Sequence, residues 1–119
     1  MKGRILAIAV AGVLAAVPTA GAQSDVQHPP KLPDSTRGAK KCGVAKAKLS
    51  GASYRVWVTK GKSLVTCRKA RAVIRDFDFM KERPRGWTYF DWTKGGNGPW
   101  SDVWEREDTK VVIGAIIRL

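Results

Sequence analysis

YRVWVTKGKSLVTCRKARAVIRDFDF, residues 54–79, changes its hydrophobic period half-way along, and that change sets the fold class. Tyr54-Arg55-Val56-Trp57-Val58-Thr59 alternates and is rich in β-branched and aromatic residues, which is the pattern of a strand. Successive strand residues point to opposite faces, so Tyr54, Val56 and Val58 share one face and Arg55, Trp57 and Thr59 the other. Lys60-Gly61-Lys62 is the turn that ends it. Thr66 is then a good N-cap for a helix predicted to reach about Phe79. Its apolar set, Ala70, Val73, Ile74 and Phe77, recurs at i, i+3, i+4 and i+7. Arg68, Arg71 and Arg75 occupy the opposite face.

Downstream, Arg83-Pro84-Arg85-Gly86 breaks the chain before a second strand, Trp87 to about Trp92. Lys94-Gly95-Gly96-Asn97-Gly98-Pro99 reads as a flexible turn. Ser101 to Arg106 and Lys110 to Arg118 follow as two more strands, joined at Glu107-Asp108. The order β-α-β-β-β predicts a small α+β domain with one helix packed across an antiparallel sheet.

Upstream, the chain begins with an address. Met1 to Arg4 carries two basic side chains, and Ile5 to Val17 is a 13-residue run without a polar side chain. Pro18 follows, then the small-x-small site Ala20-Gly21-Ala22. Together these predict a secretory signal peptide over residues 1–22. The run falls short of the roughly 20 residues that cross a bilayer. Gln23 to Lys41 has three Pro and almost no bulky apolar residue, and is expected to be a disordered N-terminal tail. The domain is then expected over residues 42–119.

Export decides the cysteines. Cys42 and Cys67 are the only two, and outside the cytosol such a pair most often forms one disulfide. It would close a loop of about 25 residues, worth roughly 3 kcal/mol on a chain-entropy argument. A domain of about 78 residues needs such a staple. Metal binding fails on ligand number, because two Cys and the distant His28 do not complete a tetrahedral site. No metal or other cofactor is expected.

Cys42-Gly43, Tyr54-x-Val56-x-Val58, Gly61, Thr66-Cys67-x-x-Ala70-Arg71-x-Val73 and Gly86-Trp87 form an ordered set. The set resembles a family of small secreted actinobacterial proteins. Those carry a Cys-Gly start, a Y-x-V strand, a Ser/Thr-Cys-x-x-Ala-Arg helix opening and a Gly-Trp-x-Cys strand. The resemblance covers most of residues 42–119 and implies export, the disulfide and the fold. It implies no activity, since the family has none settled. Its members commonly have a second Cys pair, and here Tyr89 and Trp104 stand at those places. The resemblance thus implies an aromatic pair where relatives have a cross-link.

Charge is unevenly placed. The chain carries 22 Lys+Arg against 10 Asp+Glu, a formal net charge of +12. From Arg37 to Arg75 there are 12 basic residues and no acid, whereas Gly86 to Leu119 has four basic and five acidic residues. Arg68 and Lys69 in the first helical turn, and Asp76 and Asp78 near its end, oppose the helix macrodipole, an inconsistency that often marks a site. Lys60, Lys62, Ser63, Arg68, Lys69, Arg71 and Arg75 are therefore the candidate anion-binding set, weighed against a merely solvated basic face. Gly61-Lys62-Ser63 is not a phosphate-binding P-loop, because Val56 stands where the first glycine would be.

Four of the five Trp lie between Trp87 and Trp104. Trp92 and Trp100 are expected to form an exposed aromatic strip suited to sugar or protein recognition, against the alternative of core packing. Asp91, Asp102, Glu105, Glu107 and Asp108 supply carboxylates, but nothing fixes a hydrolytic pair, and no nucleophile or metalloprotease motif occurs. The expectation is a secreted, extracellular, non-enzymatic interaction module. Its basic helix face would meet an anionic cell-envelope polymer, a lipid surface or an acidic protein, and no specific nucleic acid. Aromatic-strip recognition is the alternative, and a small hydrolase the remote one.

Overall fold

The computed structural model describes residues 28–119. In chain order these form β1 (Lys40–Lys46), β2 (Ser53–Lys60), α1 (Cys67–Arg75), β3 (Trp87–Asp91), β4 (Asp102–Arg106) and β5 (Val112–Arg118). The five strands make one antiparallel sheet in the order β1-β2-β5-β4-β3. The small α+β class, the single helix and the disulfide are as expected. The sheet has one strand more, β1. The expected signal peptide lies outside the described residues.

Strand β1 (KKCGVAK) escapes alternation because it is bulged. Its register with β2 shifts between Lys41 and Val44, where Gly43 takes φ +83°. A glycine in left-handed conformation is what a bulge of the G1 type uses. As a result Cys42 and Ala45 both face the core, three residues apart. Its lysines sit at the sheet edge, where charge discourages pairing with another chain.

Helix α1 packs mainly on β1 and β2. Ala70, Val73 and Ile74 are buried, with Phe77 partly so, which is the expected apolar set. The helix ends at Arg75, short of the expected Phe79. Lys48 N–H takes the carbonyl of Arg75 at 3.0 Å. Asp78 turns the chain instead, pairing with the backbone of Arg83 while its carboxylate accepts the N–H groups of Met80 and Lys81. Short polar side chains that bond nearby backbone favour turns over helix in this way.

Under the helix lie Val56, Val58, Ile113 and Ala115, all buried completely. Beyond its end, Tyr54, Phe77 and Tyr89 surround Trp104, with ring centroids 5.3–6.1 Å from it. Tyr89 and Trp104 stand directly opposite each other in the β3–β4 register. Cys42 and Cys67, with Cα atoms 4.9 Å apart, join β1 to the first residue of α1.

The second sheet face has its own core, and here two expectations change. Trp92 and Trp100 are 8% and 3% exposed, so they form no surface strip. They fold back over the sheet with Leu32, Trp57, Val103 and Val112. Trp100 meets Trp57 edge-on at 5.7 Å and donates its Nε1–H to the carbonyl of Pro33 at 2.8 Å. Trp92 donates to the carbonyl of Asn97, and the Asn97 amide donates to the carbonyl of Leu32 and to Asp34. Each indole thus buries its body and satisfies its polar edge. With one helix for two faces, the 92–100 loop and the 32–39 segment cover the other. The packed unit therefore starts before Cys42: the expected tail over 23–41 contributes buried Leu32 and the first residues of β1.

Candidate functional site

The segment before β1 crosses the Gly61–Val65 turn next to the start of α1, and three cations are fixed there. Lys40 Nζ donates to the carbonyls of Lys62 and Val65, both at 3.1 Å. Lys62 Nζ donates to the carbonyl of Gly38. Arg71 donates to the carbonyl of Cys42 at 2.7 Å, tying helix to strand beside the disulfide. A carbonyl is a neutral acceptor, so each group is held in place while keeping its full charge. Gly61 lets this turn lie against the Lys110 backbone: φ is +74°, and an ideal Cβ there would lie 2.2 Å from the carbonyl oxygen of Lys110.

Arg68 and Lys69 are exposed on the first turn of α1, which contains no acid. Thr66 caps that turn as expected, its hydroxyl accepting the N–H of Lys69 at 3.0 Å. Ser63 is exposed on the preceding turn. These residues gather at one end of the molecule with Lys62 and Arg71.

The other two members of the expected set do not join them as free cations. Arg75 forms a two-pronged pair with Asp76, at 3.0 and 2.9 Å. That hydrogen bond holds the Asp76 carboxyl below the usual carboxylate range. Lys60 lies close enough to Glu105 to counter the upward push that burial gives its carboxyl. Lys40, assigned by sequence to a tail, belongs to the cluster instead, whereas Lys41 stands opposite Trp57 on the other sheet face. The signal of Lys40 was present, since the acid-free run already begins at Arg37.

The carboxylates are held separately. Asp102 accepts the Tyr89 hydroxyl at 2.5 Å and the Ser101 hydroxyl at 2.8 Å. Burial, then the bond to this carboxylate, pushes the Tyr89 hydroxyl far above its ordinary pKa. Asp91 accepts from Thr93, and Asp108 from Arg106, and each is thereby held below the carboxylate range. Among the described residues no group of three or more His, Cys, Asp or Glu is placed to hold a metal ion, and no helix is long and apolar enough to cross a membrane.

No protein-family model, curated protein or solved structure matches the chain. The resemblance drawn from sequence therefore rests on its motif residues alone.

Proposed function

We propose that this protein is a secreted, non-enzymatic module that binds a polyanion through the cationic end around Lys40, Lys62, Arg68, Lys69 and Arg71. One observation carries the reading. Among the described residues none of these five forms an ion pair, because the cations that do have partners have backbone carbonyls. Clustered like charges repel, and a repeated anion would relieve that repulsion on a face that needs no rearrangement to receive it. The signal-peptide pattern and the disulfide support export, so the polyanion is sought outside the cell. Envelope polymers bearing phosphate or carboxylate groups fit. Asp91 and Asp108 are engaged in turns, Asp102 with the Tyr89 hydroxyl and Asp76 with Arg75, which supports binding over hydrolysis.

The test is retention of the oxidised chain from Gln23 on isolated cell envelopes, from low to high salt. The wild type should be retained at low salt and released as salt rises. Arg68→Gln/Lys69→Gln should lose most of that retention, whereas Arg55→Gln, on the other sheet face, should keep it. Equal retention of all three proteins would contradict the proposal.

A further inference from the structure

The opposite end of the molecule carries a different surface. Leu49, on the β1–β2 turn, is 70% exposed, and Phe79 and Met80, on the turn after α1, are 71% and 86% exposed. A single exposed apolar side chain is ordinary. Here three large ones converge, for both turns line one cleft of about 260 Å³. Its inner wall is mostly apolar, made by Tyr54, Ile74, Phe77 and Trp104, with Tyr89, Asp78 and Asp102 also lining it.

Both turns are built to hold these side chains outward. The Asp78–Arg83 backbone pair, at 2.8 and 3.0 Å, and the Asp78 carboxylate fix the loop on which Phe79 and Met80 stand. Lys48 N–H, bonded to the Arg75 carbonyl, ties the Leu49 turn to the end of the helix.

Charge says what such a tip would meet. Residues 46–52 and 76–86 contain Lys46, Lys48, Lys81, Arg83 and Arg85 against Asp76, Asp78 and Glu82. Asp76 is paired with Arg75 and Lys48, and Asp78 is turned to its own backbone. Among the described residues Lys46, Lys81, Arg83 and Arg85 form no ion pair, so on these turns unpaired cations outnumber Glu82, the remaining acid. Protein-docking surfaces are depleted of lysine near their apolar centre. A projecting apolar tip beside unpaired cations instead matches the layering of a bilayer surface, apolar chains beneath anionic headgroups.

We infer that this end of the molecule docks on an anionic lipid surface, with Leu49, Phe79 and Met80 entering the acyl layer and Lys81, Arg83 and Arg85 meeting the headgroups. The inference does not depend on the polyanion reading, since it uses other residues at the other end of α1.

The test is co-sedimentation of the oxidised chain from Gln23 with vesicles of phosphatidylcholine alone or mixed with phosphatidylglycerol, between about 50 and about 200 mM salt. The wild type should bind the mixed vesicles and retain a salt-resistant fraction from apolar insertion. Leu49→Ser/Phe79→Ser/Met80→Ser should weaken binding by about tenfold or more and remove the salt-resistant fraction. All three side chains are exposed, so its thermal transition should match the wild type. Leu64→Ser, exposed elsewhere, should bind as wild type, and Arg68→Gln/Lys69→Gln should keep the salt-resistant fraction. Three results would overturn the inference: no binding to mixed vesicles, equal binding to neutral ones, or a triple variant within about twofold of wild type. Binding lost only with Arg68 and Lys69 would also overturn it, while leaving the polyanion reading intact.

Discussion

At Gly114 in β5, an ideal Cβ would lie 2.6 Å from the six-membered ring of Trp100. The absent side chain is what lets that indole lie on the sheet. Gly114→Ala should destabilise the fold by about 1–3 kcal/mol through overpacking, read as a lower urea midpoint. On the helix face, the matching position of consequence is Tyr89. Its hydroxyl is one of two donors to the buried Asp102 carboxylate, so Tyr89→Phe should cost about 1–3 kcal/mol. The same contact sets an alkaline limit. The unfolded chain releases a tyrosine proton near pH 10, whereas burial and Asp102 make the folded chain retain it beyond that. Above pH 10 the folded state then binds more protons than the unfolded one, so stability should be level below that pH and fall as pH rises through it. Burial shifts Tyr54 in the same direction. Urea titrations from pH 8 to pH 11 check the sign, and Tyr89→Phe should flatten the fall. An unchanged alkaline slope in that variant would remove Tyr89 from the account.

Strands β2 to β5 and the helix were legible because each keeps one period over several residues and ends at a turn signal. Tyr54 to Thr59 alternates without interruption, and Ala70, Val73, Ile74 and Phe77 hold helical spacing to the last turn. Strand β1 was not legible, because its inward residues, Cys42 and Ala45, are three apart across the bulge at Gly43 and its remaining positions are mostly lysine. Trp92 and Trp100 misled for another reason. Alternation says which strand residues share a face, but not which loop returns to cover it, and here the loop holding Trp100 closes on residues far upstream. That return makes the upstream segment part of the fold, which trimming can check. A chain starting at Arg37 loses Leu32 and the carbonyl of Pro33, and should be destabilised by about 2–4 kcal/mol from the apolar burial and the unpaired Trp100 N–H. The disulfide acts on the same edge of the fold. Cys42→Ser/Cys67→Ser should lower stability by about 3 kcal/mol and loosen β1 before the rest of the sheet, seen as faster amide exchange at Lys41 and Val44.

Across the molecule, one sheet with a single helix leaves both ends of α1 accessible, and the sequence gives those ends different chemistry. Around its start the cations are positioned by neutral carbonyls; around its finish an apolar tip stands beside unpaired cations. The acid-free run from Arg37 to Arg75 made the first end legible as a basic face, but not which cations are free. Arg75 pairs with its own chain neighbour Asp76, whereas the placement of Lys60 near Glu105 depends on a contact between elements, which spacing along the chain does not encode. The central claim is that the cationic end binds repeated anions by charge. Its most direct test is the affinity of the oxidised chain from Gln23 for labelled polyphosphate, measured by anisotropy across a salt series. The account predicts a linear fall of log affinity with log salt, and a slope shallower by about one for each cation removed in Arg68→Gln and then Arg68→Gln/Lys69→Gln. A slope that is flat, or that is the same in all three proteins, would contradict it.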